Sequence, residues 1–259
     1  MNATLTASPS AGIALGVDIG GSGVKGAPVD LATGEFAAER CRVATPQPSV
    51  PEALIGAVAE VIEHFDLPEG TPIGVAYPGV VIDGIMMSAA NLDKGLIGLS
   101  LPALVEERVG RPVFGANDAD AAGFAEIAFG SAKGVPGTVL VTTLGTGIGS
   151  ALINNGFLIP NTELGHLEID GLDAEVRASG AARDREGLSF REWAPRLQRY
   201  FEVVDFLLHP DLIVVGGGVS RKHEKFLPLL QLRPPIIPAA LRNTAGIVGA
   251  AALAAQAFG

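Results

Sequence analysis

The sequence predicts an α/β protein built from two related halves with a cleft between them. The chain has 259 residues, of which 48% are hydrophobic, so it can bury a substantial core. An apolar strand followed by a glycine turn and a hairpin occurs twice, about 125 residues apart. Segments with apolar residues at helical spacing separate the strands in both halves. A duplicated strand, turn and helix pattern of this kind is what predicts the fold class.

The first half covers residues 12–115 and begins with a strand that ends at Asp18 and a glycine cluster. A return strand and an extended stretch through residue 43 are predicted to form a hairpin. Pro51 fits the first turn of a helix, because its fixed φ suits that position and it has no N–H to leave unpaired. The predicted strands are 13–17, 27–29, 73–76 and 113–114, and the predicted helices are 51–65 and 101–109.

The second half covers residues 116–243 and repeats the strand and glycine turn. Its predicted strands are 138–143, 150–153 and 212–215, with a turn at 154–156, and its predicted helices are 119–129 and 191–208. A last, Ala-rich helix over 244–258, capped by Asn243 or Thr244, is predicted to complete the first half.

Composition and charge exclude several classes of protein. The formal net charge of −10 argues against nucleic-acid binding. Residues 1–172 hold 7 Lys and Arg against 19 Asp and Glu, whereas residues 173–259 hold 11 against 9, so the latter segment suits a polyanion or is a solvated surface. The single cysteine, Cys41, excludes a multi-cysteine zinc site. Without a signal-peptide pattern or an apolar run of about 20 residues, we expect a cytoplasmic protein that binds no membrane.

The two glycine clusters are candidate phosphate-binding turns. Residues 21–26 match G-x-G-x-x-G, but a dinucleotide site needs a helix to begin there, and Pro28 with the turn at 33–34 indicates a return strand instead. Glycine backbone N–H groups can still approach an anion closely. Either cluster alone is explained by a tight turn, whereas the pair predicts a phosphate clamp, formed by Gly20, Gly21, Ser22 and Gly23 and by Gly145, Thr146 and Gly147.

Four motifs appear in the order found in one family of sugar kinases: VDIGGS at 17–22, NDADAA at 117–122, LGTGIG at 144–149 and ELGH at 163–166. On these motifs the chain resembles the ROK family, named for repressors, open reading frames and kinases. The segments GHLEID at 165–170 and VVGGGVS at 214–220 are similar to its bacterial polyphosphate glucokinases and glucomannokinases. The resemblance implies an actin-like ATPase (ribonuclease H-like) fold, an active site in the cleft, and a homodimer.

By this resemblance Asp118 is the catalytic base, which takes the proton from the primary hydroxyl of the sugar as that oxygen attacks the terminal phosphoryl group. An aspartate just before a helix is also a common N-cap, and this alternative stays open here. Asp18 resembles the family's magnesium-linked aspartate, holding Mg²⁺ through water, with support of the glycine turn as the alternative. Lys25 is expected to add charge near the phosphates or to be a solvated surface residue.

The resemblance also assigns a set of sugar contacts. Polar groups that converge on sugar hydroxyls give specificity, since a buried partner left unpaired costs about 1–3 kcal/mol. Many family members bind structural zinc through cysteines after the Gly-His pair, and with only Cys41 we expect no zinc. Glu168 is then expected to stand in for a family glutamate further along the chain. The assigned contacts are Gly79, Asn91, Asn117, Asp118, Glu163, His166 and Glu168.

The predicted reaction transfers the terminal phosphoryl group of inorganic polyphosphate, ATP or both to the 6-hydroxyl of glucose, with mannose as a further acceptor. Gly216, Gly217 and Gly218 resemble the family's nucleotide-side motif. Polyphosphate would need a basic track, for which the candidates are Arg177, Arg183, Arg185, Arg191, Arg196, Arg199, Arg221, Lys222 and Lys225.

Three other functions are weighed against this one. The first is an ATP-only kinase for another hexose or an N-acetylhexosamine. The second is a sugar sensor without activity, which an intact Asp118 and two glycine clusters disfavour. The third is a transcriptional repressor, for which the dozen or so residues ahead of the first strand are expected to be too few to hold a helix-turn-helix.

Overall fold

The computed structural model describes residues 12–90 and 92–259, which form two five-stranded sheets, two small hairpin sheets and seven α-helices. The strands are β1 (Ile13–Gly20), β2 (Gly23–Asp30), β3 (Cys41–Val43), β4 (Ile73–Tyr77), β5 (Val81–Ile82), β6 (Ile85–Met86), β7 (Phe114–Asn117), β8 (Thr138–Leu144), β9 (Ile148–Asn154), β10 (Phe157–Ile159), β11 (Glu168–Ile169), β12 (Leu172–Asp173), β13 (Leu212–Gly216) and β14 (Ile236–Pro238). The helices are α1 (Pro51–Glu63), α2 (Leu101–Val109), α3 (Asp118–Ala128), α4 (Ala174–Ala178), α5 (Gly180–Arg185), α6 (Phe190–Leu208) and α7 (Ala245–Phe258).

The two large sheets have the same topology. The first has the order β3-β2-β1-β4-β7 and the second the order β10-β9-β8-β13-β14. In each sheet three antiparallel strands are followed by two that run parallel to the central one. The predicted architecture of two related α/β halves is therefore confirmed.

Helices α3 and α7 lie between the two sheets and pack against each other. Helix α7 contacts β1 and β4 of the first sheet, while α3 contacts β8 and β9 of the second. Gly16 and Gly74 allow this approach, since a Cβ at either position would overlap a backbone oxygen of α7. One apolar cluster runs through both helices and both sheets. Because this core is shared, the boundary at residue 115 stays a prediction.

The outer faces of the sheets carry separate apolar clusters. Helices α1 and α2 cover the first sheet, with Leu54, Val58 and Val105 buried there. Helix α6 covers the second sheet, where Trp193 and Phe201 are fully buried. Of the described helices, none combines the length and apolar character that crossing a membrane requires.

The long elements were predicted within a few residues, and the short ones were missed. Strands β5, β6 and β10–β12 and helices α4 and α5 have two to six residues, too few to show a period in the sequence. The prediction that the side chain of Asn243 or Thr244 caps α7 is wrong. Thr244 stands at the N-cap position, but its hydroxyl donates to the carbonyl oxygen of Leu241 at 2.8 Å and no side chain caps the helix.

Candidate active site

A cavity of about 610 Å³ opens between the two halves at the carboxyl ends of the central strands. Residues that follow β1, β4, β7, β8 and β13 all reach it, as expected for ligand sites of α/β sheets. The predicted site residues that line it are Gly20, Gly21, Gly79, Asn117, Asp118, Gly145, Thr146, Gly147, Glu163, His166 and Gly217. The lining also includes residues that the sequence did not single out, among them Ser88, Ala90, Thr143 and Glu175.

Asp118 lies partly buried in the cavity wall at the first position of α3. The N-cap of this helix is its neighbour Asn117, whose side-chain oxygen accepts from the N–H groups of Ala119 at 2.8 Å and Asp120 at 3.0 Å. The capping alternative for Asp118 is therefore filled by another residue. Burial, together with the nearby charge of Asp18, raises the pKa of Asp118 from 3.8 to about 6.

Asp18 stands near the end of β1, close enough for its charge to act on Asp118. Burial raises the pKa of Asp18, while Lys25 and Arg40 oppose that shift. Lys25 is the direct partner of Asp18 across β1 and β2. Asp118 lines the cavity, whereas Asp18 is not among its lining residues. The two partly buried carboxylates offer only oxygen ligands, which fits a hard divalent cation that keeps most of its waters.

The first glycine turn, residues 20–23, joins β1 to β2. The Thr45 hydroxyl donates to the Gly20 carbonyl at 2.5 Å, and the Arg42 guanidinium donates to the Ser22 carbonyl at 2.7 Å, so both side chains brace the turn from outside. Gly20 and Gly21 line the cavity, whereas Ser22, Gly23 and Lys25 are not among its lining residues. The phosphate role of these three stays a prediction.

The second glycine turn, residues 145–147, joins β8 to β9 and also lines the cavity. It closes on itself through a hydrogen bond from the Gly145 N–H to the Gly147 carbonyl at 3.0 Å. The Glu175 carboxylate accepts from the Ile148 N–H at 3.0 Å and occupies the space that a Cβ at Gly147 would need. The turn is therefore held by an acidic side chain from α4.

Glu163 and His166 form a polar wall next to Asp118, with 3.8 Å between the Glu163 carboxylate and Nε2 of His166. Nδ1 of His166 lies 2.8 Å from the Asp173 carboxylate. Burial raises the pKa of Glu163, and the hydrogen bond to Asp173 raises the pKa of His166.

One assigned sugar contact, Glu168, is not among the residues that line the cavity. Glu168 is exposed on β11 and is absent from the cavity lining, while Glu175 points into the cavity instead. The turn between β11 and β12 and the start of α4 bring Glu175 to the lining of the cavity, and the role of Glu168 as a sugar contact stays a prediction. Asn91 lies outside the described residues.

A protein-family model described as "ROK family" matches residues 14–186. The chain belongs to the ROK family. A "Polyphosphate glucokinase" from Mycobacterium tuberculosis is 48% identical over 237 residues, covering 91% of this chain and 89% of the relative.

Solved structures agree with the family assignment. An inorganic polyphosphate/ATP-glucomannokinase from an Arthrobacter species has a TM-score of 0.90 and 53% identity, covering 95% of this chain and all of the other. A ROK family glucokinase from Streptomyces griseus, in complex with glucose and AMPPNP, has a TM-score of 0.77 and 28% identity over 95% of this chain and all of that one. The predicted family and actin-like fold are thereby confirmed.

Hydrogen bonds of Asn161, which the sequence did not reveal, join the two halves of this ROK protein, and we call this set of contacts the clasp. The Asn161 side chain accepts from the Val81 N–H at 2.8 Å and donates to the Val81 carbonyl at 2.7 Å. The Asn161 N–H in turn donates to the buried Asp120 carboxylate at 2.7 Å. Asn161 has φ of +59°, a conformation that asparagine tolerates better than most residues. No local pattern marks this residue, since its partners lie 41 and 80 positions away.

Among the three glycines that resemble the nucleotide motif, Gly217 alone lines the cavity. Its φ of +79° and its closeness to the Leu144 backbone leave no room for a Cβ. Gly216 is buried in β13, and Gly218 begins the short helix Gly218–Lys225.

None of the lining residues described for the cavity is lysine or arginine. Four of the nine candidate cations are engaged by carboxylates: Arg183 with Asp184, Arg185 and Arg196 with Glu186, and Arg199 with Asp170. The lining of the cavity, as far as the structure describes it, therefore supplies no cation to a basic track, and that track stays a prediction.

Proposed function

We propose that this chain is a glucokinase that transfers the terminal phosphoryl group of inorganic polyphosphate or ATP to the 6-hydroxyl of glucose. The observation that carries the proposal is the position of Asp118, partly buried where the Glu163–His166 wall and both glycine turns meet in one cavity. The names of the relatives, polyphosphate glucokinase and polyphosphate/ATP-glucomannokinase, support both the sugar and the donor.

In this mechanism Asp118 acts as general base. Its carboxylate takes the proton of the sugar hydroxyl while the hydroxyl oxygen forms a bond to the terminal phosphorus of the donor. The bond from that phosphorus to the bridging oxygen breaks, and the shortened polyphosphate or ADP leaves. A base with a pKa of about 6 is largely ionised at neutral pH and still basic enough to accept a proton.

The backbone N–H groups of Gly20 and Gly21 and of the turn 145–147 are proposed to hold the phosphoryl group as charge develops on its oxygens. Phosphoryl transfer normally uses a divalent cation to neutralise phosphate charge. We propose Mg²⁺, held by Asp18 through water. Glu163, His166 and Glu175 are proposed to bind the hydroxyls of the sugar ring, together with Asn117, whose amide donates to the Gly79 carbonyl at 3.0 Å.

For polyphosphate, we propose a route out of the cavity past Gly217, which lines it. The helix Gly218–Lys225 begins immediately after it and carries Arg221, Lys222 and Lys225. We infer that these three side chains contact the distal phosphates of a long donor. Replacing all three by alanine should raise the KM for polyphosphate much more than the KM for ATP, and the difference should shrink at high salt.

The proposed function is tested by crossing glucose, mannose and fructose with polyphosphate and ATP, using purified protein and NMR of the phosphorylated product. We expect phosphate at the 6-position of glucose with at least one donor. Failure of glucose to consume either donor in the presence of Mg²⁺ would overturn the proposal. Activity with mannose stays a prediction that the same assay decides, and omitting or replacing Mg²⁺ tests the cation.

Homodimer formation is also proposed. Phe206 and Leu207 at the end of α6 are 77% and 53% exposed, and apolar surface of this kind is what a subunit contact would cover. Light scattering of the purified protein measures the mass directly. The cytoplasmic location stays a prediction of the sequence.

A further inference from the structure

Asp173 contacts His166 of the polar wall through one carboxylate oxygen and the first turn of α4 through the other. One carboxylate oxygen lies 2.8 Å from Nδ1 of His166, and the other accepts from the Glu175 N–H at 3.0 Å, capping α4. We propose that Asp173 is a positioning residue for phosphoryl transfer, which fixes the tautomer of His166 and the direction of Glu175 and so aligns acceptor and donor. This inference rests on the proposed glucokinase function.

The first part of this inference concerns the protons of His166. An ionised carboxylate can only accept hydrogen bonds, so Nδ1 of His166 must carry the proton in the contact with Asp173. In the neutral ring, Nε2 is then left as an acceptor. Nε2 lies 3.8 Å from the Glu163 carboxylate, so a sugar hydroxyl placed between them meets two acceptors. The hydrogen bond to Asp173 is also the chief cause of the raised pKa of His166, as expected where a protonated Nδ1 faces a carboxylate.

The second part of this inference concerns the Glu175 side chain. Helix α4 has only five residues, and the cap from Asp173 fixes its first turn. The Glu175 carboxylate reaches from that turn to the Ile148 N–H at 3.0 Å, beside Gly147 of the second glycine turn. An unbroken series of hydrogen bonds therefore runs from His166 through Asp173 and Glu175 to a turn that is proposed to bind phosphate.

A bound metal is the main alternative explanation for this cluster. His166, Asp173 and Glu175 can each offer a ligand atom, and these atoms lie within 4.8 Å of one another. However, Nδ1 of His166 and the Asp173 oxygen are 2.8 Å apart, whereas two ligands on tetrahedral zinc are separated by about 3.3 Å. The observed contact is thus a hydrogen bond, and the metal becomes an outcome of the test.

Asp173→Asn tests the proposal because an amide has one acceptor oxygen where the carboxylate has two. If that oxygen keeps the cap on Glu175, the amide N–H₂ faces Nδ1 and His166 must move its proton to Nε2. We expect the kcat/KM for glucose to fall about tenfold or more, mainly through KM, with little change in the KM for the donor. Asp173→Ala removes both contacts and should raise the KM for both substrates.

The matched control is Asp170→Asn, which makes the same change on the same hairpin. Asp170 pairs with Arg199 at 3.0 Å and does not line the active-site cavity, so both KM values should stay within about twofold of the original. A double mutant provides a second check. If Asp173 acts through His166, adding Asp173→Asn to His166→Gln should cost little more than His166→Gln alone.

Nitrogen-15 NMR of the histidine rings, recorded without substrates, reads the tautomer directly, and His166→Gln identifies its signals. We expect Nδ1–H in the original protein and loss of that state in Asp173→Asn. Nε2–H in the original protein, unchanged kinetics of Asp173→Asn, or a stoichiometric zinc that this variant loses would each overturn the proposal. Because the NMR measurement needs no turnover, its result stays separate from a failure of the glucokinase proposal.

Discussion

Replacing Asp118 by asparagine should remove activity while making the protein more stable. Asparagine keeps the size and shape of the side chain but cannot accept the sugar proton. Loss of a general base typically lowers the rate by about 10²–10⁴-fold. The helix should survive the change, because Asn117 and not Asp118 supplies the N-cap of α3.

The gain in stability follows from the raised pKa of Asp118. Its value of about 6 in the folded protein lies above the ordinary 3.8, so folding favours the neutral carboxyl. The stability that the neutral carboxyl gives to the folded state is fully present below about pH 4 and is lost as the pH rises through 6. At neutral pH the ionised carboxylate then costs the folded state at most about 3 kcal/mol, and asparagine removes this cost.

Urea unfolding of both proteins between pH 4 and pH 8 measures this difference, and the same samples give kcat and glucose affinity. We expect the variant to exceed the original protein in unfolding free energy at pH 8 and to match it near pH 4. In the original protein kcat/KM should fall about tenfold between pH 7 and pH 5, since the base works only when ionised. Asp66→Asn, at an exposed position, is the control and should change neither quantity.

Two results would refute the reasoning in different ways. Near-normal turnover by Asp118→Asn would remove the residue from the role of base. Lost activity without any gain in stability would leave the role intact, but it would show that the surroundings of Asp118 do not disfavour its charge as the structure indicates.

Three further predictions concern other parts of the site and the core. Glu175→Gln should lower glucose kcat/KM about tenfold or more, while Glu168→Gln leaves it nearly unchanged. Equal effects of the two substitutions would contradict the choice of Glu175 over Glu168 as the sugar contact. Asn161→Gly keeps the left-handed backbone but loses both hydrogen bonds to Val81. Thermal unfolding should therefore show an unfolding free energy lower by about 1–3 kcal/mol, and the KM for glucose should rise. An unchanged melting temperature would contradict a clasp between the halves. Gly249→Ala places a Cβ against a backbone oxygen of α3 and should cost more than about 2 kcal/mol in urea unfolding, whereas a neutral result would mean that the two central helices can separate easily.

The sequence was sufficient for features that depend on neighbouring residues. The spacing of apolar residues and the positions of prolines and glycines determine where strands β1 and β8 and helices α1, α2 and α6 lie, because these signals act within a few residues. The same local information placed Asp118 after a strand and two glycine clusters after equivalent strands. Motifs of that length also sufficed for the family, because their order along the chain is specific.

Tertiary structure alone decided which side chains meet. The sequence offered Asp118 as a possible N-cap of α3, and only the path of β7 into α3 gives that position to Asn117. Glu168 and Glu175 are seven residues apart, and a two-residue hairpin determines which one reaches the cleft. The clasp of Asn161 on Val81 and the link from Asp173 to His166 depend on loops brought together by the packing of two sheets around α3 and α7. Such contacts leave no periodic signal, since their geometry is set by distant parts of the chain.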